Sequence, residues 1–126
     1  GDVYKRQIYM YKTLVKKIGE EAEAFKDEKM IILFGENAPE ELVDFCYTIE
    51  VNNLSNEISE DQYVYFDNNA YKITKVGTSV NKNLRDLGHI TIKFDGSISA
   101  EQSGTLYVEN KEMPKIQEGT VIKIEN

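Results

Sequence analysis

The chain holds one histidine, His89, and one cysteine, Cys46. They are its candidates for nucleophilic chemistry near neutral pH. A neutral imidazole offers a ring-nitrogen lone pair to a proton, a metal or a phosphoryl group. A thiol does the same once it is ionised. One residue of each kind cannot assemble a zinc-type ligand set, so no metal centre is expected. The sequence contains neither a Walker phosphate loop nor a GxGxxG turn, and no cofactor is expected. No Ser/His/Asp arrangement with a local signature is present. The 22 Asp and Glu residues offer no pair that stands apart, and they read as solvated faces. The eight tyrosines fall mostly in strand-like segments, where core and cross-strand packing is expected over a ligand-stacking platform.

The elements that must position these residues are short and mostly extended. Residues 8–15 are rich in β-formers and form a first strand, ended by Ile18-Gly19. Residues 20–25, rich in Ala and Glu, suit a turn or two of helix. Residues 29–34 form a second strand. Pro39, followed by Glu40 and Glu41, suits the first position of a short helix. Tyr47, Ile49 and Val51 then alternate with polar residues, as in a half-buried strand. Residues 63–66 and 70–76 flank Asp67-Asn68-Asn69 and predict a hairpin. Ser79 is placed to cap a helix that runs to Leu87 and ends at Gly88. Strands follow at residues 89–94, 105–108 and 120–124. About seven short strands with one to three short helices point to a mainly β barrel or sandwich.

At 126 residues the chain is expected to form one domain, spanning residues 8–126. Residues 1–7 lack an initiator Met and are expected to be a non-native leader, with the native start near Met10. The net charge of −7 opposes phosphate backbones and anionic lipid, so neither nucleic acid nor a membrane surface is an expected partner. Apolar runs such as Met30–Phe34 fall far short of the roughly 20 residues that span a bilayer, so no membrane insertion is expected. A lone cysteine excludes an internal disulfide and suits a reducing compartment.

One block is more specific than any of this. Asn83-Leu84-Arg85-Asp86-Leu87-Gly88-His89-Ile90-Thr91-Ile92-Lys93-Phe94-Asp95-Gly96 resembles the NLR(E/D)LGH stretch, and the strand after it, of glucitol/sorbitol-specific IIA proteins of the bacterial sugar phosphotransferase system. Ala38-Pro39 with Phe45-Cys46, Thr74-Lys75-Val76-Gly77, Gly104-Thr105 and Gly119-Thr120-Val121 resemble other landmarks of that family in order and spacing. The resemblance implies a closed, largely antiparallel β-barrel that works in the cytoplasm. It also implies phosphoryl relay from an HPr-like phosphocarrier, through a histidine, to the IIB/IIC permease components.

In that family the acceptor histidine lies three residues beyond the cysteine, and here Ile49 occupies that place. Isoleucine has no nucleophile. The resemblance therefore implies either a degenerate or regulatory paralogue or transfer through another residue, with His89 the first candidate. His89 reads otherwise as a structural histidine at a helix C-terminus. Cys46 reads as a buried, inert thiol rather than an acceptor. Glu50, as a mimic of phosphorylation, falls on the opposite strand face from Ile49. A rival reading is a small interaction module unrelated to sugar transport.

Overall fold

Alternating burial along the first strand sets the frame of the molecule. In the computed structural model, which describes residues 9–126, β1 (Tyr9–Ile18) buries Tyr11, Thr13 and Val15 and leaves Lys12 and Lys16 in solvent. Period-two burial recurs in β4 (Tyr63–Phe66), β6 (Ile90–Lys93) and β8 (Val121–Glu125). With β2 (Met30–Phe34), β3 (Tyr47–Ile49), β5 (Asn69–Val76) and β7 (Thr105–Val108), these strands close into a barrel of order β1-β3-β2-β6-β7-β5-β4-β8. The expected largely antiparallel barrel is therefore present, with eight strands. Two neighbour pairs, β2 with β3 and β6 with β7, are parallel. Parallel neighbours cannot be joined by a tight hairpin. Residues 35–46 make one of the crossovers and carry the one-turn helix α1 (Glu40–Val43).

Closure leaves no free sheet edge. Register shifts in β1 and β5 supply bends of the kind that curved sheets need. The interior is aliphatic, with an aromatic cluster in which Tyr71 packs edge-on to Phe94 at 5.0 Å and to Phe66 at 5.8 Å. The Tyr71 hydroxyl donates to the Glu112 carbonyl at 2.6 Å, so its polar tip is satisfied. Helix α2 (Val80–Leu87) lies against the barrel through Val80 and Leu84.

Several local expectations change. Ile8 lies outside the described residues. Residues 20–25 form successive turns that end in a short 3₁₀ segment, Lys26–Glu28, with Lys29 in the left-handed region. Gly19 and Glu21 donate to the Cys46 and Asp44 carbonyls, so long-range bonds replace a helix there. Pro39 occupies the cap position rather than the first helical one. The hairpin loop is Asp67-Asn68, since Asn69 already pairs with Phe66. The Asp67 carboxylate accepts the Val121 N–H, which pins the loop to β8. The half-buried strand expected through Val51 stops at Ile49, and all three of its residues are buried. Val51 is 47% exposed. β3 lies between β1 and β2 in the sheet, and because all three of its residues are buried its alternation carries no burial signal.

Candidate functional site

The C-terminus of α2 and the end of β2 meet at one rim of the barrel. Gly88 adopts φ 65° and donates to the Asn83 and Leu84 carbonyls, and the His89 N–H also reaches Asn83. This is a left-handed (αL) helix stop, and a residue without a side chain suits its turn. The Leu87 carbonyl accepts the Gly35 N–H at 2.9 Å, joining the helix end to the residue after β2. That approach is tight. A methyl group on Gly35 would sit 2.6 Å from the Leu87 oxygen and 2.6 Å from Val51 Cγ2.

His89 is held by this junction. Its Nδ1 lies 3.1 Å from the Leu33 carbonyl, and its ring stacks on Phe34 with centroids 4.0 Å apart and planes 16° apart. A carbonyl oxygen only accepts, so Nδ1 carries the proton. In the neutral ring the lone pair is therefore on Nε2. That nitrogen has no protein partner among the described residues and is not a buried orphan, so it opens to solvent. The structural role expected for His89 is present, and one ring nitrogen remains chemically available.

Ile49 lies elsewhere. It stands opposite Val15 in β3, is 0% exposed and belongs to the continuous core. Among the described residues, none of the three main surface grooves is lined by Ile49 or His89. Cys46 is buried, its thiol donates to the Leu42 carbonyl at 3.2 Å, and burial pushes its pKa up. Both effects disfavour a thiolate. Glu50 directs its carboxylate towards Lys16 at 3.9 Å and Asn52 at 3.5 Å, away from the core that holds Ile49. The residues that position the His89 ring, Leu33 and Phe34, were not evident from sequence. One acts through a backbone carbonyl 56 positions away, which no side-chain motif records.

A crystal structure of a phosphotransferase-system IIA component from Enterococcus faecalis V583 has the same barrel. It matches with a TM-score of 0.79 and 28% identity, over 92% of this chain and all of that one. The family model described as "PTS system glucitol/sorbitol-specific IIA component" matches residues 10–123. Proteins of that name from Shigella flexneri and Escherichia coli K12 are each 32% identical over 117 residues, covering 93% of this chain and 95% of theirs. The fold and these relatives define a IIA component of the sugar phosphotransferase system. The chain belongs to the glucitol/sorbitol-specific IIA family. No helix among the described residues is long and apolar enough to cross a membrane.

Proposed function

We propose that this protein is a degenerate or regulatory IIA component. It meets an HPr-like phosphocarrier and the IIB/IIC components of a polyol permease in the cytoplasm, but it carries no phosphoryl group at the family's acceptor position. The observation that supports this reading is Ile49. The residue matching that position has no nucleophile and is sealed at 0% exposure inside the barrel. Phosphoryl transfer is chiefly a matter of positioning and electrostatic stabilisation around an attacking atom, and nothing at residue 49 can attack.

A second reading has its own observation. The Leu33 carbonyl fixes the His89 tautomer and leaves Nε2 open. In-line attack by that lone pair on a phosphohistidine donor would form a new N–P bond as the old one broke, while the Nδ1 proton stayed on nitrogen, hydrogen-bonded to the Leu33 carbonyl. Among the described residues, no ion pair or hydrogen bond places a cation at Nε2 to receive the phosphoryl charge, so this reading stands second.

Incubation with phosphoenolpyruvate, enzyme I and HPr separates the two. The expected result is no acid-labile phosphate on the intact protein, together with measurable binding to HPr or to the IIB component. Acid-labile phosphate that is lost in His89→Ala would overturn the degenerate reading.

A further inference from the structure

Two buried tyrosines end in hydroxyls without a hydrogen-bond partner among the described residues, and they differ in access. At the seam where residues 50–55 run beside β1, the Tyr11 hydroxyl is sealed from solvent. Tyr47 in β3 is also nearly covered, at 5% exposure. Its hydroxyl is not a sealed orphan, so the surface that Tyr47 keeps includes its polar tip. Backbone pairing fixes the residue from both sides, since Tyr47 stands opposite Ile18 of β1 and Leu33 of β2.

Tyr47 lines a groove of about 690 Å³, within the size range of small-molecule sites. Its walls are the end of β1, the turns of residues 22–29, the start of β2 and the strap of residues 112–117 that leads to β8. Ile18, Met30, Met113 and Ile116 are only partly covered and line it with apolar surface. Among these, the Met30 and Met113 thioethers suit contact with an aromatic ring. Three carboxylates, Glu23, Asp27 and Glu112, are balanced by three ammonium groups, Lys26, Lys29 and Lys115. Lys26 is already paired with Glu23 at 3.8 Å, and Lys29 with the Asn110 side chain. The groove therefore selects for neither sign of charge. Burial, and then the Glu23 carboxylate, raise the Tyr47 pKa, so the phenol keeps its proton as a donor.

We propose that this groove binds a small neutral aromatic compound whose carbonyl group accepts the hydrogen bond of the Tyr47 hydroxyl. The apolar walls take the ring, and the one unpaired donor in the wall takes the acceptor. An anion at that point would meet the field of Glu23. An amidinium cation has no acceptor to offer the phenol proton.

The test is an amide-resolved NMR titration of the full chain with three probes of one shape, benzamide, benzoate and benzamidine. Benzamide should give saturable shifts confined to Ile18, residues 22–31, Tyr47 and residues 112–117, with a dissociation constant on the order of 5 mM. Benzoate and benzamidine should each bind at least about fivefold more weakly, and Tyr47→Phe should weaken benzamide by a similar factor, the loss of one hydrogen bond. Met113→Ala, on the strap and away from the phenol, should weaken it by about twofold or more through lost ring contact. Both variants are checked as folded by circular dichroism. The proposal is overturned if benzamide gives no saturable shifts in the groove, if Tyr47→Phe binds it as well as the native chain, or if either charged probe binds as tightly. Groove shifts that grow with protein concentration alone would also overturn it, by showing a second copy of the chain there. None of the probes enters the phosphorylation assay, so this proposal and the proposed function can fail separately.

Discussion

The rim around His89 and the seam beside Tyr11 lie on one barrel, and they solve backbone satisfaction in opposite ways. At the rim, the orphan carbonyls of the α2 end are taken by Gly88, His89 and Gly35, and the imidazole is clamped between a carbonyl and Phe34. At the seam, three side-chain bridges stand in for a ladder and a buried phenol is left unpaired. A closed junction stores stability, whereas an open one leaves polar groups for something else to satisfy. The rim contains the residue with the most recognisable chemistry, and the seam contains the less regular backbone pairing.

The strongest way to break this contrast is Gly35→Ala. The added methyl meets a backbone oxygen that is already hydrogen-bonded, so relief requires moving β2 away from α2. Urea unfolding should show a loss of about 3 kcal/mol, at the upper end for overpacking. A loss below about 0.5 kcal/mol would mean that the rim is not the rigid junction described.

Alkaline titration probes the seam. Burial pushes the Tyr11 pKa from 10.0 up to about 12. The folded protein therefore binds more protons than the unfolded chain between those values. Its stability from this group is complete below pH 10 and is lost as pH rises through about 12. The loss should be about 2–3 kcal/mol, and Tyr11→Phe should flatten that part of the profile. Burial also raises Tyr47, Tyr71 and Cys46, so a residual alkaline slope is expected in the variant. An unchanged profile in Tyr11→Phe would place the titrating group elsewhere.

The smallest effect is expected from His89→Ala, which removes one hydrogen bond and one stacked ring contact. A loss of about 1–2 kcal/mol in thermal or chemical unfolding is expected, with the barrel retained. A larger loss would show that the imidazole organises more of the rim than Leu33 and Phe34.

Much of the fold was legible because its signals are local. Alternation in residues 63–66 and 90–93 reports a sheet covered on one side, and Asp67-Asn68 reports a tight turn. Gly88 marks the helix stop through its left-handed backbone. Residues 20–25 form turns despite their helix-favouring composition, because the backbone bonds from Gly19 to Cys46 and from Glu21 to Asp44 outweigh helix propensity there. Val51 continues the sequence alternation of β3 beyond the point where the strand ends, so it is exposed rather than half-buried. The rim was half legible. The sequence showed His89 after a helix stop, but not the carbonyl that fixes its tautomer.

By itself the sequence determined the β-rich composition, the family block at residues 83–96 and the absence of a nucleophile at Ile49. These depend only on residue identity and spacing. Tertiary structure decided which nitrogen of His89 is free, that Ile49 is sealed in the core, and that the Tyr11 hydroxyl is buried without a partner. Each of those depends on barrel closure, which brings together backbone groups tens of residues apart, and hydrogen-bond satisfaction is a property of such meetings rather than of any segment alone.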